Sequence, residues 1–468
     1  MVPFFPKQIA TRAVAVYLLA LIVVSLVYFQ YAMGFEYWIF GVLCVSGFFL
    51  FLSKWSMDWR GTPERRFLFQ TFTLALVIRL IWVVFSYYYY RNITGIPFEY
   101  AAADSLGYHR EAEWLAGEPW SVAWDYYFGS GSNGISDVGY PLYLTVLYKL
   151  FGPVIIIPRI IKAFLGAGIC LLIYRICRRM FDESTARMAS LMCVLMPNLI
   201  IYCGYHLKET EMLFLEVAFL ERADYLIRSR KISFLSILFP TLLAGCMFFF
   251  RTVLGAAAVF AMATAVLFSA TPSMKRGWKR TAIIGWGLLC VLVAGGGTIM
   301  TEVEALWEDR EDNVMRKRLE QTSRGNQWAQ YATGTVMAPM VFLLPFSTMV
   351  DVDQQYGQQE KNGGNFVRSF MAFFAFLAIF EAFRQKKWRD FSLVGAFVIA
   401  YLGVVSLSGF SNSERFLLPG LPCLIIMWAY GVSLLNKKSF RLLNPWCIFV
   451  CLIEIAWAFF KLGSRGLF

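Results

Sequence analysis

Runs of about 20 mostly apolar residues, separated by short polar connections, fill most of the chain. Each run is long enough to cross a hydrocarbon core of about 30 Å as a helix. The pattern predicts spans near 13–33, 35–53, 68–90, 154–174, 188–204, 211–227, 232–250, 253–270, 281–300, 367–383, 391–409, 417–435 and 445–461. The expected fold class is therefore all-α, a polytopic membrane protein of about thirteen transmembrane helices. The interval 335–350 is shorter and is broken by Pro339 and Pro345, so it reads as re-entrant or interfacial.

The polar connections alternate in charge. Taken with the N-terminus inside, the inner loops hold Lys54, Arg60, Arg65 and Arg66; then Arg175, Arg178, Arg179 and Arg187; then Arg222, Arg228, Arg230 and Lys231. The next inner loops hold Lys275, Arg276, Lys279 and Arg280; Arg384, Lys386, Lys387 and Arg389; and Lys437, Lys438 and Arg441. The short outer connections carry few cations, as the positive-inside rule requires. A spanning 335–350 would move the last two clusters outside and break the pattern. Two outer loops stand out by length, 91–153 and 301–366, and 301–334 reads as a charged helical segment. Four units follow: an N-terminal hairpin with its inner loop at 1–67, a helical core at 68–300, the outer loop 301–366 and C-terminal spans at 367–468.

Composition supports this class, with 58% hydrophobic and only 16% charged residues against about 25% charged in soluble domains. Lys7 and Arg12 precede a long apolar run without a small-residue cleavage site, which reads as a signal anchor. The net charge of +12 lies in loops that orient the chain, so it does not point to nucleic acid. The ten cysteines sit in or beside apolar segments, none in the long outer loops, and read as small core residues.

Ionisable residues are scarce enough here that each asks for a reason. The first long loop holds Asp104, Tyr108, His109, Arg110, Glu111 and Glu113. If 104–116 is helical, Asp104, Tyr108 and Glu111 share a face. A carboxylate at the membrane boundary can take the proton of an attacking hydroxyl or amine, although a solvated loop helix is the plainer reading. His206, Lys208, Glu209 and Glu211 crowd a tight turn between two spans, where a cation can neutralise a lipid phosphate and improve it as a leaving group. Interfacial anchoring is the alternative there. Arg251 and Arg415 lie where spans meet the outer face, suited either to a phosphate or to snorkelling. His109 and His206, the two histidines of the chain, show no fixed metal-ligand spacing, so no metal or cofactor is expected, a divalent ion being the less favoured option. Arg79, Glu216 and Glu454 fall mid-span and read as a structural ion pair inside the bundle, or as a transport pathway.

Four stretches, in order, resemble the GT-C membrane glycosyltransferases, nearest the branch of protein O-mannosyltransferases and the lipid A aminoarabinose transferase. They are Asp104, Tyr108 and Ala112 at spacings of four; Gly139-Tyr140-Pro141-Leu142-Tyr143-Leu144 leading to Tyr148–Gly152; Arg159 through Tyr174–Phe181 to Met196-Pro197-Asn198, followed by the His206–Glu211 turn; and Ser413-Glu414-Arg415-Phe416-Leu417-Leu418-Pro419-Gly420-Leu421-Pro422. The likeness covers about 68–270 and 410–435. Asp104 is followed by Ser105, where protein mannosyltransferases carry an Asp-Glu pair, and Phe416 stands where a tyrosine is usual. A large soluble outer domain after the last spans is not expected from this sequence.

The resemblance implies an integral membrane glycosyltransferase that moves a sugar from a polyprenyl-phosphate donor to a glycan, lipid or protein acceptor with inversion. It implies Asp104 as general base, Lys208, Arg251 and Arg415 on the donor phosphate, and Tyr108, His109, Glu111, His206 and Glu209 as further substrate-binding residues. The expected setting is a bacterial inner membrane, with the site on the periplasmic face and the N-terminus cytoplasmic. A polysaccharide polymerase or ligase acting on lipid-linked glycans is the nearest alternative, favoured if essential arginines lay in 301–366. A transporter or flippase, resting on Arg79, Glu216 and Glu454, is the alternative from another class; no internal repeat supports it.

Overall fold

The computed structural model describes residues 4–100, 102–129, 137–229, 233–268, 340, 342–352, 356–407, 413–463 and 467. Among them helices dominate, no strand occurs, and one isolated bridge joins Ala32 to Val350. In chain order the helices are α1 (Lys7–Val27), α2 (Phe35–Asp58, with a π-helical turn at Gly47–Phe51), α3 (Glu64–Thr94), α4 (Ala103–Gly117), α5 (Trp120–Phe128), α6 (Gly139–Phe151), α7 (Ile156–Met180) and α8 (Glu183–Leu195). They continue as α9 (Pro197–Gly204), α10 (Glu209–Arg228), α11 (Phe234–Phe250), α12 (Thr252–Phe268), α13 (Asn362–Arg384), α14 (Ser392–Leu407), α15 (Glu414–Ser433) and α16 (Lys437–Gly463).

Eight of these segments are long and apolar enough to cross a membrane, or nine if α8 and α9 form one bent span. The expected span 188–204 is that pair, bent by 43° between Leu195 and Pro197. Pro197 opens α9, where its missing N–H costs nothing, but it cannot continue the ladder of α8. The expected span 211–227 is α10, with six acidic or basic residues between Glu211 and Arg228. It is nonetheless almost wholly buried, because α7 and α11 pack along it and Cys423 of α15 meets Glu216. The spans at 232–250 and 253–270 are the 17-residue helices α11 and α12. The expected span 281–300, the segment 301–334 and the start of 335–350 lie outside the described residues.

Residues 342–352 run as buried, non-helical chain. Their backbone is satisfied by the protein: Asp351 N donates to Tyr31 O (2.8 Å), Ser347 N to Glu454 Oε2 (2.8 Å), and Ser369 Oγ donates to Leu343 O (2.9 Å). Irregular chain survives within a bundle only when its polar groups find such partners.

Two ends of the bundle can be told apart. At one end Arg178 pairs with Glu64, Arg179 meets Glu221 (2.8 Å) and Asp224 (2.7 Å), and Arg187 donates to the carbonyls of Trp59 (2.7 Å) and Thr62 (2.6 Å). Arg228 there reaches Asp390 O (3.3 Å). Four of the six basic connections expected on a common side, 54–66, 175–187, 222–231 and 384–389, thus meet at a common end, while 275–280 lies outside the described residues. The junctions before α4, α10, α12 and α15 lie at the opposite end. Glycine allows the close packing between them: a Cβ at Gly431 of α15 would collide with the Phe374 carbonyl of α13.

The mid-span residues do not form the expected ion pair. Arg79 is fully buried and donates to the carbonyls of Ala75 and Cys193 (both 3.2 Å). Glu216 faces Cys423 Sγ (3.9 Å), and Glu454 accepts the Ser347 N–H. The three side chains lie at membrane depth, as their positions along the chain indicate, but point to different neighbours. Among the described residues no ion pair links them.

Candidate functional site

The site is assembled from residues at or just before the first turn of four helices: Asp104 on α4, Lys208 and Glu209 at α10, Arg251 before α12 and Arg415 on α15. Helix N-termini present unpaired N–H groups and roughly half a positive charge, which favours anions there.

Arg415 is the hinge of the cluster. Its Nη1 pairs with Asp104 Oδ2 and its Nε with Glu209 Oε1. Arg251 Nη2 stands 3.9 Å from that same Glu209 oxygen, while its Nη1 donates to Tyr401 OH (3.1 Å). The Arg251 guanidinium also lies 4.6 Å from the centre of the Phe416 ring, a cation–π contact that fixes its plane. Lys208 Nζ donates to Phe250 O (2.9 Å) and pairs with Asp137. Glu209 is fully buried and its Oε2 has no hydrogen-bond partner among the described residues, whereas the Asp104 side chain is 58% exposed. A buried carboxylate shared by two guanidiniums and an exposed one held by the same Arg415 fork give the cluster its shape.

Burial, and next the positive charge of Arg251, push Lys208 down to about 7. The Glu209 and Asp104 carboxylates act against this without reversing it. Lys208 is thus a cation that titrates near neutrality.

Each sequence-predicted residue can now be placed. Asp104, Glu209, Lys208, Arg251 and Arg415, drawn from separate parts of the chain, come together. Tyr108 joins them, its hydroxyl interacting with Arg415 and Asp104, and burial raises its pKa. The helix expected over 104–116 is α4, but Glu111 turns from Arg415 toward Tyr127 of α5 and is raised by burial. His109 and His206 form a separate chain through one hydroxyl: His109 Nδ1 lies 2.8 Å from Tyr148 OH, which lies 3.1 Å from His206 Nε2. Burial lowers His109, and burial with the nearby Arg159 and Lys162 charges holds His206 well below its usual value. Among the described residues no three His, Cys, Asp or Glu side chains gather as metal ligands would.

Other participants were given no role from the sequence. Glu414 accepts from Tyr202 OH (3.0 Å) and Asn198 Nδ2 and pairs with Lys361 (3.1 Å), fixing the chain just before Arg415. Glu360 accepts from Tyr205 OH (2.9 Å) and Tyr90 OH. Arg159 and Lys162 are fully buried one layer beneath the His206 turn. Glu414, beside Arg415, and Arg159 and Asn198, in the third resembling stretch, carried a sequence signal; the positions of Glu360 and Lys361 are set by helix packing.

No family model matches the sequence, and no curated protein matches it. Solved structures do. ArnT from Cupriavidus metallidurans, bound to undecaprenyl phosphate, superposes with a TM-score of 0.51 at 15% identity over 82% of this chain and 63% of that one. The fold is GT-C. The oligosaccharyltransferase of Archaeoglobus fulgidus in its apo form gives a TM-score of 0.49 at 13% identity, over 86% of this chain and 56% of that one. The same archaeal enzyme, AglB, with an inhibitory peptide and a dolichol-phosphate gives 0.46 at 12% identity over 86% and 56%. This chain spans less than two thirds of the length of these proteins.

Proposed function

We propose that the protein is a membrane glycosyltransferase that moves a sugar from a polyprenyl-phosphate donor to an acceptor at the Asp104–Arg415 end of the bundle. The observation that carries this reading is the single cluster of Lys208, Arg251 and Arg415 around Glu209, with Asp104 at its exposed edge. Its support in the fold is GT-C architecture, and the ArnT structure that shares it holds undecaprenyl phosphate.

The chemistry asks for little more. The acceptor oxygen or nitrogen bonds to the anomeric carbon from the face opposite the phosphate. The bond from that carbon to the phosphate oxygen breaks, and its electron pair stays on the polyprenyl phosphate. The acceptor proton passes to Asp104. One displacement inverts the anomeric centre. A prenyl phosphate leaves as a stabilised anion, so fixed cations and a base suffice and no enzyme nucleophile is required. Lys208, Arg251 and Arg415 face the departing charge, while buried Glu209 keeps the guanidiniums in place.

A free donor phosphate also competes for Arg415. As it binds, it takes over the Arg415 fork and leaves Asp104 free to accept a proton. The charge of the opposite end supports an outward-facing site, which in this reading is the periplasmic face of a bacterial inner membrane.

The test is turnover. Reconstituted protein is given a panel of undecaprenyl-phosphate-linked sugars and a mixed acceptor pool, and free undecaprenyl phosphate and product anomer are measured. Release coupled to an inverted product is expected. A retained anomeric configuration would contradict single displacement, and donor binding without release under any acceptor would favour the polymerase or transporter readings.

A further inference from the structure

The Asp104 carboxylate is 58% exposed and pairs with Arg415, whose guanidinium the donor phosphate takes over in the proposed transfer. The base therefore loses its ion-pair partner at the step in which it has to act. The turn that carries it is weakly held by its own sequence. Ala102 opens α4 and offers no side-chain cap, so Asp104 sits at the second position of an uncapped first turn. Helix ends without such a partner fray. A displacement of about 1 Å at a reacting group is enough to cost orders of magnitude in rate, so the backbone of Asp104 needs a hold that does not run through Arg415.

The segment 96–100 supplies one. Gly95, at φ 81°, ends α3 in the left-handed region and turns the chain back toward α4. Four consecutive residues of the strap are then fastened. Pro97 O accepts from Nη2 of the fully buried Arg159 (2.6 Å). The buried Phe98 ring packs against His109 of α4 (5.5 Å between centres) and edge-on against His206 (5.6 Å). The Tyr100 ring lies against Tyr90 (6.1 Å) and Tyr356 (5.5 Å). Between them Glu99 Oε1 accepts from Ser105 Oγ, and both side chains are buried. That bond closes the strap onto the residue next to Asp104: Asp104 faces out, and Ser105 faces in.

We propose that Glu99 and Ser105 are positioning residues for the base: their hydrogen bond pins the first turn of α4 to the 96–100 strap, and so keeps Asp104 in place when the donor phosphate draws Arg415 away. Arg159 anchors the strap to α7 through Pro97. The bond does for α4 what its missing cap does not, from the buried side of the turn and at a distance from the phosphate cluster. Neither residue touches the reacting atoms, so their effect on the reaction runs through Asp104. The consequence is a loss in turnover rather than in donor binding, because Lys208, Arg251 and Arg415 sit on other elements.

This inference rests on the reading of Asp104 as general base, and a double-mutant cycle separates the two. The reconstituted full chain is given undecaprenyl-phosphate-linked sugars, kcat is read as release of undecaprenyl phosphate, and Kd is measured for the bare carrier. Ser105→Ala is expected to lower kcat about tenfold or more, with Kd within about twofold of wild type. Alanine is the better helix former, so the thermal midpoint should hold. Glu99→Ala should match Ser105→Ala, and Glu99→Gln, which keeps an acceptor oxygen, should retain most of the turnover. In an Asp104→Asn background Ser105→Ala should cost nothing further, whereas damage that does not act through Asp104 would multiply. Ser105→Ala adds no bulk, so it remains informative if Glu99→Ala fails to fold. Wild-type kcat in Ser105→Ala, a loss confined to Kd, or the same fractional loss in the Asp104→Asn background overturns the positioning role and leaves the base reading standing. Equal turnover of wild type and Asp104→Asn, or no release by wild type from any donor, overturns the base reading and the positioning role with it.

Discussion

Arg415 holds two carboxylates with one guanidinium, Asp104 through Nη1 and Glu209 through Nε. Such a fork is geometric as well as electrostatic, and a lysine offers a point charge without the second arm. Arg415→Lys should therefore lower kcat/KM tenfold or more, measured as polyprenyl phosphate release, with the protein still folded. Lys208 gives the site its pH dependence. Below about 7 it is protonated and cationic, and above that it is neutral. A donor phosphodiester keeps its single negative charge throughout. Donor Kd should accordingly rise between pH 6 and pH 8.5, with the change starting near 7, and Lys208→Met should flatten that profile. A rise in affinity with pH would refute the role of Lys208.

At the scale of elements, most helix positions among the described residues were legible in the sequence because length, apolarity and loop charge each constrain them, although α1 runs about six residues ahead of its expected span. The helix at 104–116 and the Pro197 break followed from local rules, and α4 and the α8–α9 bend are what those rules form. Direction around the helix axis was not legible. Arg79, Glu216 and Glu454 share depth, which chain position reports, but face different neighbours, which only packing sets. The same holds for Glu111, which shares a face with Asp104 yet turns to α5. Helix contacts also expose weak points. A Cβ at Gly431 would strike the α13 backbone at Phe374, so Gly431→Leu should force α13 and α15 apart. The expected result is a thermal midpoint in detergent at least several degrees below wild type, whereas Gly403→Leu, where an added Cβ meets nothing, should leave it nearly unchanged.

For the whole molecule, two chemically distinct ends follow from the fold: a basic end around Arg178, Arg179, Arg187 and Arg228, and a site end around Asp104 and Arg415. The proposed orientation has the basic end in the cytoplasm, as the positive-inside rule would have it. In a cysteine-free background, a membrane-impermeant thiol reagent should label Glu113→Cys in intact cells and Arg60→Cys only after permeabilisation. The reverse pattern would put the site in the cytoplasm. Convergence of residues 104, 208, 209, 251 and 415 is a property of this scale, since separations of up to 311 positions leave no local trace in the sequence.

The central claim is that Asp104 takes the acceptor proton as the sugar leaves its lipid phosphate. The direct measurement is release of free polyprenyl phosphate by reconstituted wild type and Asp104→Asn, with donor affinity measured in parallel. The account predicts a loss of about 100-fold or more in the turnover of Asp104→Asn, the usual contribution of a general base, with donor affinity retained because the cations remain. Equal turnover in the two proteins would contradict it.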